Sequence, residues 1–243
     1  MVNVSALETE NMKKRYGVFD IIGPIMIGPS SSHTAGAAKL AKIARGIAGE
    51  EPVEVKFYLH GSFSKTYKGH GTDRALVAGI LGMDPADENL KESLKLAKMK
   101  DMSVSFEPKD LGDVHPNTVS IRMKLKDGRE VSVTGSSIGG GAVEISQIDG
   151  EEIQFSGNYP TLLVSQRDAP GVVANISRLL YENGINIAYM SLFRSQKGRD
   201  AMMIFELDQN IDKSILEKLT QVDCVEHVRF VPLSSDVINY PVV

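Results

Sequence analysis

The densest polar cluster in the sequence is Gly28-Pro-Ser-Ser-Ser-His33-Thr34, set directly before a helix rich in alanine and other small residues. The first amides of a helix lack intrahelical acceptors, and the macrodipole places positive potential at that end. A carboxylate or phosphate would meet those amides there, and the Ser32 or Thr34 hydroxyl could add a donor. The same residues also suit a plain helix cap worth about 1 kcal/mol with His33 exposed beside it, and the segment alone fits both readings.

A second cluster runs His60-Gly-Ser62 and then Tyr67-Lys68-Gly69-His70-Gly71-Thr72-Asp73-Arg74. Histidine exchanges a proton near neutral pH, and glycines on both sides let backbone approach a ligand or bend sharply. His70 is therefore a candidate acid or base; read alone, it equally suits a surface residue on a glycine turn. A third cluster, His115-Pro-Asn117-Thr118, opens a hairpin, and Gly135-Ser-Ser-Ile-Gly139-Gly-Gly141 follows it. Glycine triplets are explained as well by close backbone packing as by ligand contact.

Other matches carry less. Gly135-Ser-Ser137-Ile-Gly139 fits G-x-S-x-G, but Gly140-Gly141-Ala-Val143 is a poor helix start, and a nucleophile elbow turns from strand into helix. Ser62-Phe-Ser-Lys65 fits S-x-x-K without its companion motifs. The glycines around His70 lack the third of a dinucleotide fingerprint, and no phosphate-binding G-x-x-x-x-G-K-[ST] occurs. The histidines at 33, 60, 70, 115 and 227 show no zinc spacing.

The elements that must hold these residues fall into two groups. Residues 15–155 read as mixed α/β: a helix from Thr34 to about Ala48, a strand Val53–Leu59, a helix from about Thr72 to Leu81, and a polar helix from Asn89 to about Lys98. A strand at Met102–Phe106, a hairpin of Thr118–Leu125 with Arg129–Thr134, and strands Ala142–Ile148 and Glu152–Phe155 about the Asp149-Gly150 turn follow. Gly157-Asn-Tyr-Pro160 has linker composition. From 161 to 233 the rhythm is strand, helix, strand, strand, helix, strand, the split βαβ arrangement that lays two helices on one face of a four-stranded antiparallel sheet. Its first helix carries Val172, Val173, Ile176, Leu179 and Leu180 as one stripe, with Asp168 as its expected N-cap and Asn183-Gly184 as its stop. The fold class is α/β (α+β).

Composition narrows the function. The chain has 243 residues, 42% hydrophobic and 24% charged, the balance of a globular protein. Its longest apolar stretch, Val18 to Ile27, is broken by Asp20, Gly23 and Pro24 and is too short to span a bilayer, and the N-terminal residues lack a secretory pattern. A cytoplasmic location with no membrane partner is the expectation. Lysine plus arginine number 27 against 31 aspartate plus glutamate, net −4, with no basic block, which argues against nucleic acid. A single cysteine, Cys224, excludes an internal disulfide and any thiolate-held zinc or iron–sulfur site built from this chain alone. It reads as a small, buried hydrophobe.

Asp168-Ala-Pro-Gly171-Val-Val, with Asn183-Gly-Ile-Asn186-Ile187, resembles an ACT domain, a module that often binds amino acids and regulates metabolic enzymes through paired domains. The four clusters in order, Gly28 to Thr34, Gly69 to Asp73, His115 to Thr118 and Ser136 to Gly141, resemble the β chain of the two-chain, iron–sulfur type of bacterial L-serine dehydratase. That resemblance implies conversion of L-serine to pyruvate and ammonia with a [4Fe-4S] cluster whose ligands lie on a partner α chain, and no metal ligand in this chain. It implies catalytic roles for His70, His33 and His115, and substrate binding by Ser30, Ser31, Ser32, Thr34, Lys68, Gly69 and Asp73. Regulatory contacts would fall on Asp168, Gly171 and Asn175, with self-association through the ACT domains. The first domain is also similar to the allosteric substrate-binding module of some phosphoglycerate dehydrogenases, so a non-catalytic serine-binding module is the second expectation.

Overall fold

The computed structural model describes residues 25–194, 196 and 198–232. The domain start at 15, most of the apolar stretch from Val18, the end at 233 and residues 195 and 197 of the hairpin turn lie outside them.

In the first domain a π-helical turn, Ser31–Gly36, runs directly into helix α1, Ala37–Ala48. Strand β1 (Glu54–Leu59) follows, then three short helices, α2 (Gly61–Thr66), α3 (Thr72–Ile80) and α4 (Ser93–Met99), the last entered through a 3-10 turn at Glu88–Glu92. Five strands complete it: β2 (Ser103–Pro108), β3 (Thr118–Lys124), β4 (Glu130–Gly139), β5 (Ala142–Ile148) and β6 (Glu151–Phe155). They form one sheet in the order β2-β1-β3-β4-β5-β6, antiparallel except for the β1/β2 pair. A parallel pair needs a long crossover, and the helices between residues 61 and 99 supply it.

Helix α1 is the centre of this domain. Ala37, Ala38, Ala41, Ala44 and Ala48 have no exposed surface, and Leu40 and Ile47 are equally buried. A helix apolar on nearly every side belongs inside a core, and alanine lets neighbours approach closely from several directions. The closest approach is to α3: a Cβ at Gly79 would stand 2.2 Å from the Ala38 carbonyl oxygen and 2.7 Å from the Ala41 Cβ. Lys42, buried on the same helix, is neutralised by Asp84 at 2.6 Å.

The second domain carries β7 (Thr161–Arg167), α5 (Val172–Glu182), β8 (Ile187–Arg194), β9 (Asp200–Leu207), α6 (Lys213–Leu219) and β10 (Val225–Val231). The strands pair antiparallel in the order β10-β7-β9-β8, so the expected βαββαβ order and sheet are observed. Alternation sorts the faces: Leu162, Val164, Met203, Phe205, Val228 and Phe230 pack with Ile176, Leu180 and Leu216 of the helices. Leu163, Ile204 and Val231 point the other way and join the core of the first domain. The segment with linker composition is packed as well, since a Cβ at Gly157 would stand 2.3 Å from Ile43 Cδ1 and Lys39 Nζ donates to Asn158 at 2.7 Å.

Three local expectations need correction. The helix carrying His33 starts at Ser31, not Thr34, because Ser30 caps a π-turn: its hydroxyl accepts from the His33 amide at 3.1 Å and its carbonyl from the Thr34 amide at 2.9 Å. The N-cap position of α5 belongs to Gly171, at φ 94°, rather than Asp168. Asp168 instead accepts from Arg194 at 3.1 Å and from the Gly198 amide at 3.0 Å, pinning the β8–β9 turn. Cys224 is half-buried at φ 70°, with Arg167 donating to its sulfur at 3.8 Å.

Candidate active site

The π-turn, the start of α2, the His70 turn and the opening of the β3–β4 hairpin meet at one end of the first domain. His33 lies at their junction. Its Nδ1 is 3.4 Å from Ser30 Oγ and its Nε2 is 3.1 Å from Ser62 Oγ. The edge of its ring meets Phe63 at 5.4 Å between centroids and His70 at 4.8 Å. Burial, and then the neighbouring His70, hold the His33 pKa below the ordinary value of 6.5, so the ring is a neutral imidazole at pH 7. An NMR titration of the His33 ring should therefore give a midpoint below 6.5. A midpoint above it would place an anion against the ring.

The sequence clusters are joined by direct bonds. Thr34 is buried and its hydroxyl donates to the His70 carbonyl at 3.4 Å, tying the first cluster to the second. The His60 amide donates to the Thr118 carbonyl at 3.0 Å and the Ser62 amide to the Pro116 carbonyl at 2.8 Å, tying the second to the third. The third joins the fourth through the Thr118–Ser136 hydroxyl pair at 2.7 Å and the Ser137 amide on the Asn117 carbonyl at 3.0 Å. Because β4 continues as strand to Gly139 and turns back into β5, Ser137 sits on no nucleophile elbow.

The expected site residues divide by position. Ser30 and His33 touch, Ser31 and Ser32 are half-buried in the same turn, and His70, Lys68 and Gly69 are exposed at its rim. Lys68 Nζ lies 5.7 Å from the Tyr67 ring, and Asp73 accepts from the Arg74 amide at 2.8 Å. His115 is exposed, with its Nδ1 accepting from the Asn117 amide at 3.1 Å inside its own turn. In the second domain Asn175 is exposed on the first turn of α5, its amide on the Gly171 carbonyl at 2.9 Å. In the sequence Ser62 stands out only as a neighbour of His60 and as the serine of the discarded S-x-x-K match. Its role is visible only once the 29-residue separation from His33 is closed by the fold.

The described cavities between the domains, about 150 Å³ beside Lys39, Asp84 and Tyr159 and about 300 Å³ between the Asp149 turn and Met202, have none of these residues in their walls. Among the described residues the rim of the His33 cluster, at Lys68, Gly69 and His70, is exposed. Nor do the donors of this chain suit an iron–sulfur cluster: Cys224 is in the second domain, bonded to Arg167, and among the described residues no three His, Cys, Asp or Glu side chains converge.

An α/β domain with a histidine–serine cluster, followed by a βαββαβ module, defines a two-domain chain of the ACT-containing class; residues 160–224 match the ACT domain. Residues 17–147 match the serine dehydratase beta chain, and the chain belongs to that family. It is 45% identical over 211 residues to a protein of Bacillus subtilis named probable L-serine dehydratase, beta chain, covering 87% of this chain and 95% of that one. With the L-serine dehydratase, beta chain, of Peptoniphilus asaccharolyticus it is 42% identical over 217 residues, 89% and 98% of the two chains. A weaker similarity, 28% over 190 residues, links 76% of this chain to 35% of a D-3-phosphoglycerate dehydrogenase of Bacillus subtilis. Among the described residues no helix is long and apolar enough to cross a membrane.

Proposed function

We propose that this chain is the β subunit of a cytoplasmic L-serine dehydratase, a lyase that converts L-serine to pyruvate and ammonia only together with an α chain. The observation that carries this is the His33–Ser62–His70 cluster, its rim at Lys68 to His70 exposed among the described residues, in a chain whose close relatives are named as such β chains. An exposed rim of this kind suits a site completed by a second chain. The [4Fe-4S] cluster that the resemblance implies would be held by thiolates of the α chain, where it would supply Lewis acidity toward the substrate hydroxyl.

The residues of this chain do the remaining work. The turn from Ser30 to Thr34 binds the serine carboxylate through the Ser31 and Ser32 amides and hydroxyls, since Ser30 already accepts from the His33 and Thr34 amides and the Thr34 hydroxyl is turned toward His70. His70, exposed at the rim, takes the proton lost from Cα, while His33, whose two ring nitrogens face Ser30 and Ser62, holds a neutral imidazole against it. Loss of that proton and of the hydroxyl as water leaves aminoacrylate, which hydrolyses to pyruvate and ammonia. Lys68, Gly69 and Asp73 shape the rim, and His115 stands behind it. The test is to tag this chain in its own organism, purify it without oxygen, and identify what accompanies it. Co-purification of an iron–sulfur chain with L-serine-dependent pyruvate formation supports the reading, and a stable partner-free chain that binds serine but makes no pyruvate contradicts it.

The similarity to phosphoglycerate dehydrogenase favours one other reading, a serine-binding regulatory module without chemistry. Undiminished activity of the complex after changing both His33 and His70 would favour it.

Regulation falls to the ACT domain, which binds a small ligand about Asp168, Gly171 and Asn175 and pairs with a second copy; the exposed Tyr189, Met190 and Leu192 of edge strand β8 support the pairing. Helix α1 connects this domain to the site, since it follows the His33 turn and packs on Val231 of β10 at Gly46. Asn175→Ala should change the response to added amino acids several-fold while the basal rate stays within about twofold. An unchanged response would reduce the domain to a dimer contact.

A further inference from the structure

We propose that Ser62 is a positioning residue, fixing the His33 imidazole in one orientation, and that the His115–Thr118 turn acts on the site through Ser62. Its consequence for turnover rests on the dehydratase reading; its consequence for the imidazole does not.

The His33 ring is bounded on four sides. Ser62 Oγ stands 3.1 Å from Nε2 and Ser30 Oγ 3.4 Å from Nδ1, while Phe63 and His70 meet the ring edge-to-face at interplanar angles of 72° and 87°. Ser30 lies three residues away on the same turn and moves with His33. Ser62 is the bond that ties the ring to another element. A hydroxyl donates and accepts, so Ser62 can serve the neutral ring as acceptor or donor and the imidazolium as acceptor. A carboxylate in its place would favour the charged form and raise the pKa, against the direction in which burial and His70 move it. A serine therefore orients the ring and leaves it neutral.

What holds Ser62 is the third cluster. Gly61 has φ 52°, and a Cβ there would stand 2.6 Å from the Pro116 carbonyl oxygen, so only glycine admits this contact. The Ser62 amide donates to that carbonyl at 2.8 Å. The Pro116 turn is itself closed by Thr118 Oγ1 on the His115 carbonyl at 2.6 Å and by the Asn117 amide on His115 Nδ1 at 3.1 Å. The chain of support runs from the β3–β4 hairpin through Pro116 to Ser62 and on to His33. His115 enters as part of the turn, which explains a histidine whose ring bonds locally and away from His33.

The test begins on the full-length chain with ¹⁵N-labelled histidine, the His33 signals being assigned by their loss in His33→Gln. The wild type and Ser62→Thr should each show one sharp set of His33 ring signals at neutral pH, and Ser62→Ala a broadened or doubled set as the ring samples other orientations. With the α chain present, Ser62→Ala should lower kcat for L-serine about 10- to 100-fold with KM within about threefold, and Ser62→Thr should recover most of it. Should Ser62→Ala fail to fold, Ser62→Cys, close in size and a weak hydrogen-bonder, takes its place. Unchanged His33 ring signals in the alanine variant would overturn the proposal whatever the reaction, and changed signals with full kcat would overturn its catalytic part. Changed signals in a complex whose wild type makes no pyruvate would uphold the positioning role and sink the dehydratase reading instead.

Discussion

Alanine in place of His70 should lower L-serine turnover by the complex about 10²- to 10⁴-fold, the range for loss of a positioned acid or base, equal to about 3–5 kcal/mol of transition-state stabilisation. His70 is exposed at the rim, where its ring makes an edge contact with His33 and its carbonyl receives the Thr34 hydroxyl. The carbonyl bond survives the substitution, so folding and assembly should be preserved. His33→Ala should reduce kcat to a similar extent. It also deprives Ser62 of its partner, so some stability loss should accompany it. The double variant should fall little below the worse single one if the two imidazoles act as a unit. Steady-state rates on complexes matched for melting temperature decide this, and near-normal turnover in His70→Ala would remove that residue from the mechanism.

The largest stability effect should come from a residue outside the site. Gly79→Ala puts a methyl group 2.2 Å from the Ala38 carbonyl oxygen, 2.7 Å from the Ala41 Cβ and 2.8 Å from the Lys42 amide nitrogen. Two of these three atoms are backbone of α1, so no side-chain rotation relieves the overlap; α1 and α3 must separate. Overpacking of this kind costs about 1–3 kcal/mol and more where backbone must move, so a loss of about 3 kcal/mol is expected. Denaturant unfolding should show the midpoint falling with little change in slope. Because α1 leads out of the His33 turn, turnover should fall beyond what the lost folded fraction explains. An unfolding free energy within about 0.5 kcal/mol of wild type would mean that the helices are not in this contact.

Much of the second domain is legible from local pattern. The Val172, Ile176 and Leu180 stripe, the Asn183-Gly184 stop and the alternation of β7 each point to one structure, and the structure agrees. Asp168 misled because Asp before Pro-Gly suits a cap, whereas tertiary bonds to Arg194 and Gly198 claim its carboxylate. In the first domain α2 was illegible: His60-Gly-Ser reads as loop, and only the Pro116 carbonyl under Gly61 makes the turn favourable. The parallel pairing of β1 with β2 was equally hidden, as it joins strands separated by three helices. Candidate residues could be picked out by type and by motif, but not which of them touch. His33 and Ser62 meet across 29 residues, while His115, equally prominent in sequence, keeps its ring in its own turn.

On the function proposed above, this chain forms half of a site that makes pyruvate from L-serine. The most direct test is to add the purified chain, without oxygen, to a fixed amount of the α chain and follow pyruvate released from L-serine. The rate should be negligible for either chain alone and should rise with added β chain to a plateau at a fixed ratio. Full activity of the α chain alone, or none at any ratio with an intact cluster, would contradict it.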